Sequence, residues 1–111
     1  MAEWESAMLS DDELAELYAL RYDLSFKEGG ISLDEYAEVI RDVLLRHQGY
    51  AIFKIDSERS KNIYTFVVTF FPVGGDVIRK DTSSTMIGMK AVFAGLEKLG
   101  RFGMKADDVR L

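Results

Sequence analysis

The chain has 111 residues, 48% hydrophobic and 30% charged, with 7 Phe, 5 Tyr, 1 Trp and one proline. That length fits one domain able to bury a cooperative core without staples, and the aromatic content argues against disorder. Cysteine is absent, which excludes disulfides, thiolate metal sites and cysteine nucleophiles, and suits a reducing compartment. The net charge of −5 is unevenly placed: residues 1–30 carry eight acids against Arg21 and Lys27, while the rest carries twelve bases and eleven acids. The first nine residues are acidic where a signal peptide would be basic. No apolar run approaches the ~20 residues that span a bilayer; the longest, Phe66 to Val73, is broken by Thr69 and Pro72. A cytoplasmic protein with no membrane partner is expected.

Two helix starts are well signalled. Ser10-Asp11-Asp12-Glu13 has the spacing of a capping box, with Leu9 and Leu14 placed as a hydrophobic staple. Leu14, Leu17, Tyr18 and Leu24 recur at helical spacing, and Gly29-Gly30 is expected to end the segment. Ser32-Leu33-Asp34-Glu35 is a second capping box; Leu33, Tyr36, Ile40, Val43, Leu44 and His47 share one face, and Gly49 sits where a C-terminal cap is expected. Residues 10–48 therefore read as a helical hairpin.

Period two then takes over. In Tyr50 to Asp56, Ala51, Phe53 and Ile55 alternate with Tyr50, Ile52 and Lys54; Asp56 to Asn62 reads as a loop. Ile63 to Phe71 is apolar on both faces, as suits a central strand, and Asp76 to Lys80 supplies a short third strand. Short connections predict an antiparallel meander. Asp81 to Thr85 offers several caps to a closing helix whose apolar face is Met86, Met89, Val92, Phe93, Leu96 and Leu99, and which stops at Gly100. Gly88 and Gly95, at the edge of that face, predict close approach of another backbone. The expected fold is α+β in the order α-α-β-β-β-α, one domain over 1–111. It comprises an acidic helical segment at 1–30, a core at 31–100, and a tail or added strand at 101–111.

No nucleophile elbow, phosphate-binding loop or dinucleotide fingerprint occurs, so no catalytic residue, metal or cofactor is assigned. His47, the single histidine, reads as a core residue near the negative end of its helix. The hydroxyls of Thr82 to Thr85 read as caps ahead of a phosphate site. The stretch Glu28-Gly29-Gly30-Ile31-Ser32-Leu33-Asp34-Glu35 resembles the second half of an EF-hand calcium loop. Leu24 and Phe26, however, occupy positions where that family needs oxygen ligands.

A larger resemblance runs over residues 32–99. Helix, three strands and helix, ending in Lys90-Ala91-Val92-Phe93-Ala94-Gly95-Leu96-Glu97-Lys98-Leu99, is similar to the double-stranded RNA-binding domain. That likeness implies phosphate-gripping lysines at the start of the closing helix. Ser84, Thr85 and Gly88 stand there instead, and the family's Gly-Pro-x-His loop is replaced by Asp56 to Asn62.

Two functions follow as expectations. The first is a non-catalytic protein-interaction module, an adaptor, inhibitor or immunity-type protein. Tyr18, Val67 and Phe71 are its candidate partner surface, and self-association as a homodimer is one form. The second is nucleic-acid binding through Arg59, Lys61, Arg79, Lys80 and Lys90.

Overall fold

The computed structural model describes residues 9–72 and 75–103. The element order is α1 (Asp11–Leu20), α2 (Leu33–His47), β1 (Gly49–Ile55), β2 (Tyr64–Phe70), β3 (Val77–Thr82) and α3 (Thr85–Leu99). The strands form one antiparallel sheet in the order β1-β2-β3, so the fold is α+β as expected. Residues 104–111 lie outside the described residues, and the tail or added strand expected there with them.

Local chemistry sets both N-terminal helix starts. Ser10 Oγ accepts from Glu13 N–H at 3.1 Å and Glu13 returns the bond to Ser10 N–H; Ser32 and Glu35 repeat the exchange. Each box satisfies two backbone donors that a helix start otherwise leaves unpaired.

The first helix ends earlier than its periodicity predicts, at Leu20 rather than Gly29-Gly30. Asp23 takes the left-handed conformation, with φ 59°. Leu24 N–H then reaches Ala19 C=O at 3.1 Å and Asp23 N–H reaches Leu20 C=O at 3.2 Å. This is a Schellman closure built on aspartate, one of the non-glycine residues that tolerates that region. Leu24 thus leaves the helix, and a loop over residues 21–32 carries Phe26 and Ile31 into the core. The buried Glu16 carboxylate accepts Phe26 N–H at 2.8 Å and ties the loop down.

Packing departs from sequence order. α1 lies chiefly against α3, and ion pairs Asp11–Lys98 at 2.8 Å, Asp12–Lys90 at 3.8 Å and Arg21–Glu97 at 3.0 Å link the two. Part of the N-terminal acidity is therefore matched within the molecule. α3 crosses β2 and β3 through its two glycines, and what approaches them is side chain rather than the expected backbone. A Cβ at Gly88 would enter the Phe66 ring, and one at Gly95 would meet Ile78. Between helices and sheet lie Phe66, Val68 and Phe70 of β2, Met89, Val92, Phe93 and Leu96 of α3, and Tyr36, Val39, Ile40 and Val43 of α2.

Tyr18 is fully buried, so its place in the candidate partner surface is corrected to the core. Its ring packs on Phe93 with centroids 5.2 Å apart, and its hydroxyl donates to Arg101 C=O at 2.6 Å. Burial chiefly, with Tyr22 alongside, pushes that hydroxyl far above the ordinary phenol range. Tyr36 is also buried and its hydroxyl raised for the same reason, but it has no hydrogen-bond partner among the described residues. Opposite responses to hydroxyl removal are therefore expected. Tyr18→Phe leaves the Arg101 carbonyl unpaired and should cost about 1–2 kcal/mol, whereas Tyr36→Phe relieves an unpaired buried group and should be neutral or stabilise by about 1 kcal/mol. Urea unfolding of both variants beside the wild type measures the difference.

Arg101 to Gly103 run as a docked strap. Phe102 C=O accepts from His47 Nε2 at 2.8 Å, Gly103 N–H donates to Tyr22 Oη at 2.8 Å, and Arg101 pairs with Asp76 at 3.1 Å. The Arg21 guanidinium lies 4.1 Å from the centroid of the Phe102 ring.

Candidate functional site

Strand alternation divides the sheet into two faces. Phe66, Val68 and Phe70 point toward the helices, so Thr65, Val67 and Thr69 point away. The register lays three cross-strand rows on this outer face: Lys54–Thr65–Asp81, Ile52–Val67–Arg79 and Tyr50–Thr69–Val77. Among the described residues no helix covers it.

One end of the outer face is a closed polar cluster. Thr65 Oγ1 donates to Asp81 Oδ1 at 2.6 Å, and Arg59 reaches Asp81 and Asp56, each at 3.3 Å, from the loop between β1 and β2. Arg79 pairs with Asp81 at 3.5 Å and Lys54 with Asp56 at 3.8 Å. The Thr65 hydroxyl bond is the leading cause that holds the Asp81 carboxyl below its usual range; burial, next in size, opposes it, and Arg59 and Arg79 add to the lowering. A folded-state pKa below the unfolded one stabilises the fold above the unfolded value, and that contribution disappears as pH falls through the folded value. A carbon-detected NMR titration should show Asp81 ionising below an ordinary aspartate. In Thr65→Val, which lacks the leading donor, its midpoint should move back up.

The other end is apolar. Tyr50 is 46% exposed, Ile52 47%, Phe71 51% and Val77 61%, around a half-buried Val67. The Tyr50 and Phe71 rings are 6.0 Å apart. Contiguous exposed apolar side chains rimmed by polar groups mark interaction surfaces more often than isolated ones do. Two of the three residues expected on a partner surface, Val67 and Phe71, therefore sit together here. Tyr50, Ile52 and Val77 were missed. Their positions in period-two strands carried a signal, but only the cross-strand register puts them beside Val67.

The five candidate phosphate ligands are not brought together. Arg59 and Arg79 are held by carboxylates of the polar cluster, and Lys90 faces Asp12 of α1. Lys80 is opposite Phe66 on the helix side of β3, while Arg79 is opposite Val67 on the outer face. Among the described residues, Lys61 and Lys80 are exposed and have no carboxylate within ion-pair distance. The hydroxyls before α3 are taken up by backbone N–H groups. Ser84 Oγ accepts Ile87 N–H at 3.3 Å, Thr82 Oγ1 accepts Ser84 N–H at 3.1 Å, and Ser83 Oγ accepts Asn62 N–H at 2.7 Å.

Two hollows open among the described residues. A cavity of about 250 Å³ is lined by Arg21, Tyr22, Arg46, His47, Gly100 and Phe102, where helices end. Among the described residues His47 meets two arginines there, and its Nε2 donates to Phe102 C=O. A wider depression of about 600 Å³ holds Glu16, Asp23, Glu28 and Glu35. Glu16 and Glu35 are occupied by the backbone N–H groups of Phe26 and Ser32. Glu35, the terminal ligand position in the EF-hand likeness, is thus a capping residue.

Comparison of the chain with protein-family models, with curated proteins and with solved structures gives no match. Any functional reading consequently rests on the molecule's own surfaces.

Proposed function

We propose that the chain is a non-catalytic protein-interaction module, an adaptor, inhibitor or immunity-type protein, that docks through the apolar end of its open sheet face. The observation that carries this reading is the group Tyr50, Ile52, Val67, Phe71 and Val77 on a face that no described helix covers. A large aromatic at the centre of such a patch supplies much of the energy of an interface.

Capture from native lysate, with and without nuclease, tests it. The wild type should retain a protein in both conditions. Phe71→Asp, which sets a charge in the patch while sparing the core, should weaken retention at least about tenfold, or 1.4 kcal/mol. Retention untouched by Phe71→Asp would sink the reading.

Nucleic-acid binding, by way of the double-stranded RNA-binding-domain likeness, is the second reading. It is supported by the element order over residues 33–99 and by the exposed Lys61 and Lys80. The carboxylates on Arg59, Arg79 and Lys90 weaken it, because phosphate neutralisation supplies most affinity for nucleic acid. Duplex RNA and DNA titrated at low and then higher salt separate the two. Binding at low salt that salt abolishes would favour it.

A further inference from the structure

We propose that β1 pairs with β1 of a second copy, antiparallel about a two-fold axis at Ile52, so that two sheets become one. The inference goes beyond the interaction reading above: it places a second copy of this chain on the strand edge beside that face.

The backbone supplies the first reason. Gln48 C=O accepts Phe71 N–H at 3.2 Å and Asp56 N–H donates to Ile63 C=O at 2.8 Å, both toward the β2 side. Antiparallel ladders alternate, so the even-numbered residues of β1 address β2 and Gly49, Ala51, Phe53 and Ile55 direct N–H and C=O away from it. Among the described residues no strand pairs with that edge.

The two edges of the sheet differ. β3 carries Arg79, Lys80 and Asp81 in succession, the charged pattern that deters strand addition. β1 has no proline, a single charge at Lys54, and exposed side chains from Tyr50 to Ile55. Lys54 is the one residue on it of the kind that resists a second strand.

Self-complementarity selects the occupant. A two-fold axis at Ile52 places Gly49 opposite Ile55 and Ala51 opposite Phe53, which matches every outward-directed backbone group. On the helix side each large residue then meets a small one, so Phe53 and Ile55, exposed in the single chain, gain cover. On the outer side Lys54 meets the partner's Tyr50 rather than another lysine, and Ile52 meets Ile52. A one-residue slip sets outward groups against inward ones, and a two-residue slip leaves Gly49 or Ile55 without a strand partner. The joined outer faces make the apolar patch continuous across the axis.

Sedimentation equilibrium over a wide concentration range reads the result. The mass should rise from 12.6 kDa toward twice that value. Ile52→Lys sets like charges on the axis, and Ala51→Pro deletes an N–H that β2 does not use. Each should raise the dimer dissociation constant at least about tenfold. Leu45→Lys, on the exposed side of α2, should leave it unchanged. Amide hydrogen exchange gives a reading independent of any variant: Gly49, Ala51, Phe53 and Ile55 N–H should gain protection as concentration rises. A mass of 12.6 kDa throughout overturns the pairing. So does a dimer in which those four amides stay unprotected, which would mean association through the sheet face. A monomer that still captures a protein through Phe71 overturns this inference alone; a monomer that captures nothing overturns the interaction reading with it.

Discussion

Replacing Phe93 by alanine should remove about 3–5 kcal/mol of stability, the range for truncating a fully buried aromatic. Phe93 has no exposed surface, and its ring centroid lies 5.2 Å from Tyr18, 5.4 Å from Phe26 and 6.0 Å from Tyr36. Those three rings come from α1, from the loop after it and from α2, so one side chain of α3 joins every helical part of the core. A void here is not readily filled by moving one neighbour, because two of the three are anchored elsewhere: Tyr18 by the Arg101 carbonyl, Phe26 by the Glu16 carboxylate. Against a total of roughly 5–15 kcal/mol for a domain of this kind, that loss leaves a marginal fold. The melting temperature should drop by at least about 10 °C. Phe93→Leu, which keeps much of the volume, should cost less than Phe93→Ala. Circular dichroism melts and urea titrations of both variants measure this. An alanine variant within about 1 kcal/mol of wild type would mean that Phe93 does not join the helices.

Gly88→Ala should also destabilise, against the ordinary preference of helices. In an exposed helix interior the change gains about 1 kcal/mol. Here the new methyl would occupy the space of the Phe66 ring, which is itself fully buried between Tyr36 and Phe53 at centroid distances of 5.5 and 4.8 Å. The ring cannot swing aside, so α3 must lift from β2, and overpacking of this sort costs about 1–3 kcal/mol net. Gly95→Ala is the matched comparison. Its methyl meets the Ile78 side chain at 2.9–3.1 Å, and Ile78 is only half-buried and has room to turn. Its effect should therefore be close to neutral. The double variant Gly88→Ala with Phe66→Leu should be less destabilised than the two single changes summed, because the shorter side chain vacates the contested space. Equal stability of Gly88→Ala and Gly95→Ala would remove the basis for the tight crossing.

Much of the fold was legible in the chain because its signals are local. Ser10 with Glu13, and Ser32 with Glu35, lie three residues apart, and a capping box needs nothing beyond that distance. Gly100 ends α3 with φ 67° as its composition suggested. Elsewhere local signals pointed to the wrong residue. Gly49 reads as a helix cap, yet Gln48 takes the positive φ of 61°; Gly49 is needed because a Cβ there would strike the Thr69 carbonyl. Asp23 does what Gly29-Gly30 was expected to do.

The candidate site was less legible. Tyr18 shares the helical spacing of Leu14 and Leu17, and its expected place on a partner surface gives way to the core because α1 turns that side toward Phe93; only the packing of helices distant in sequence decides this. The basic residues look like one group in the sequence; strand alternation and ion pairs from remote carboxylates disperse them.

The chain by itself determined the element order, the antiparallel meander and the apolar character of β2 on both sides, because capping, period and turn chemistry act within a few residues. Tertiary structure alone decided which side of the sheet the helices cover, and hence that Tyr50, Ile52, Val67, Phe71 and Val77 form one open patch. Thr65 and Thr69 make the outer side of β2 the less apolar one, but Val67 and Phe71 on it leave the strand by itself undecided. The choice falls to the contacts of α2 and α3, including the gap at Gly88 that admits Phe66.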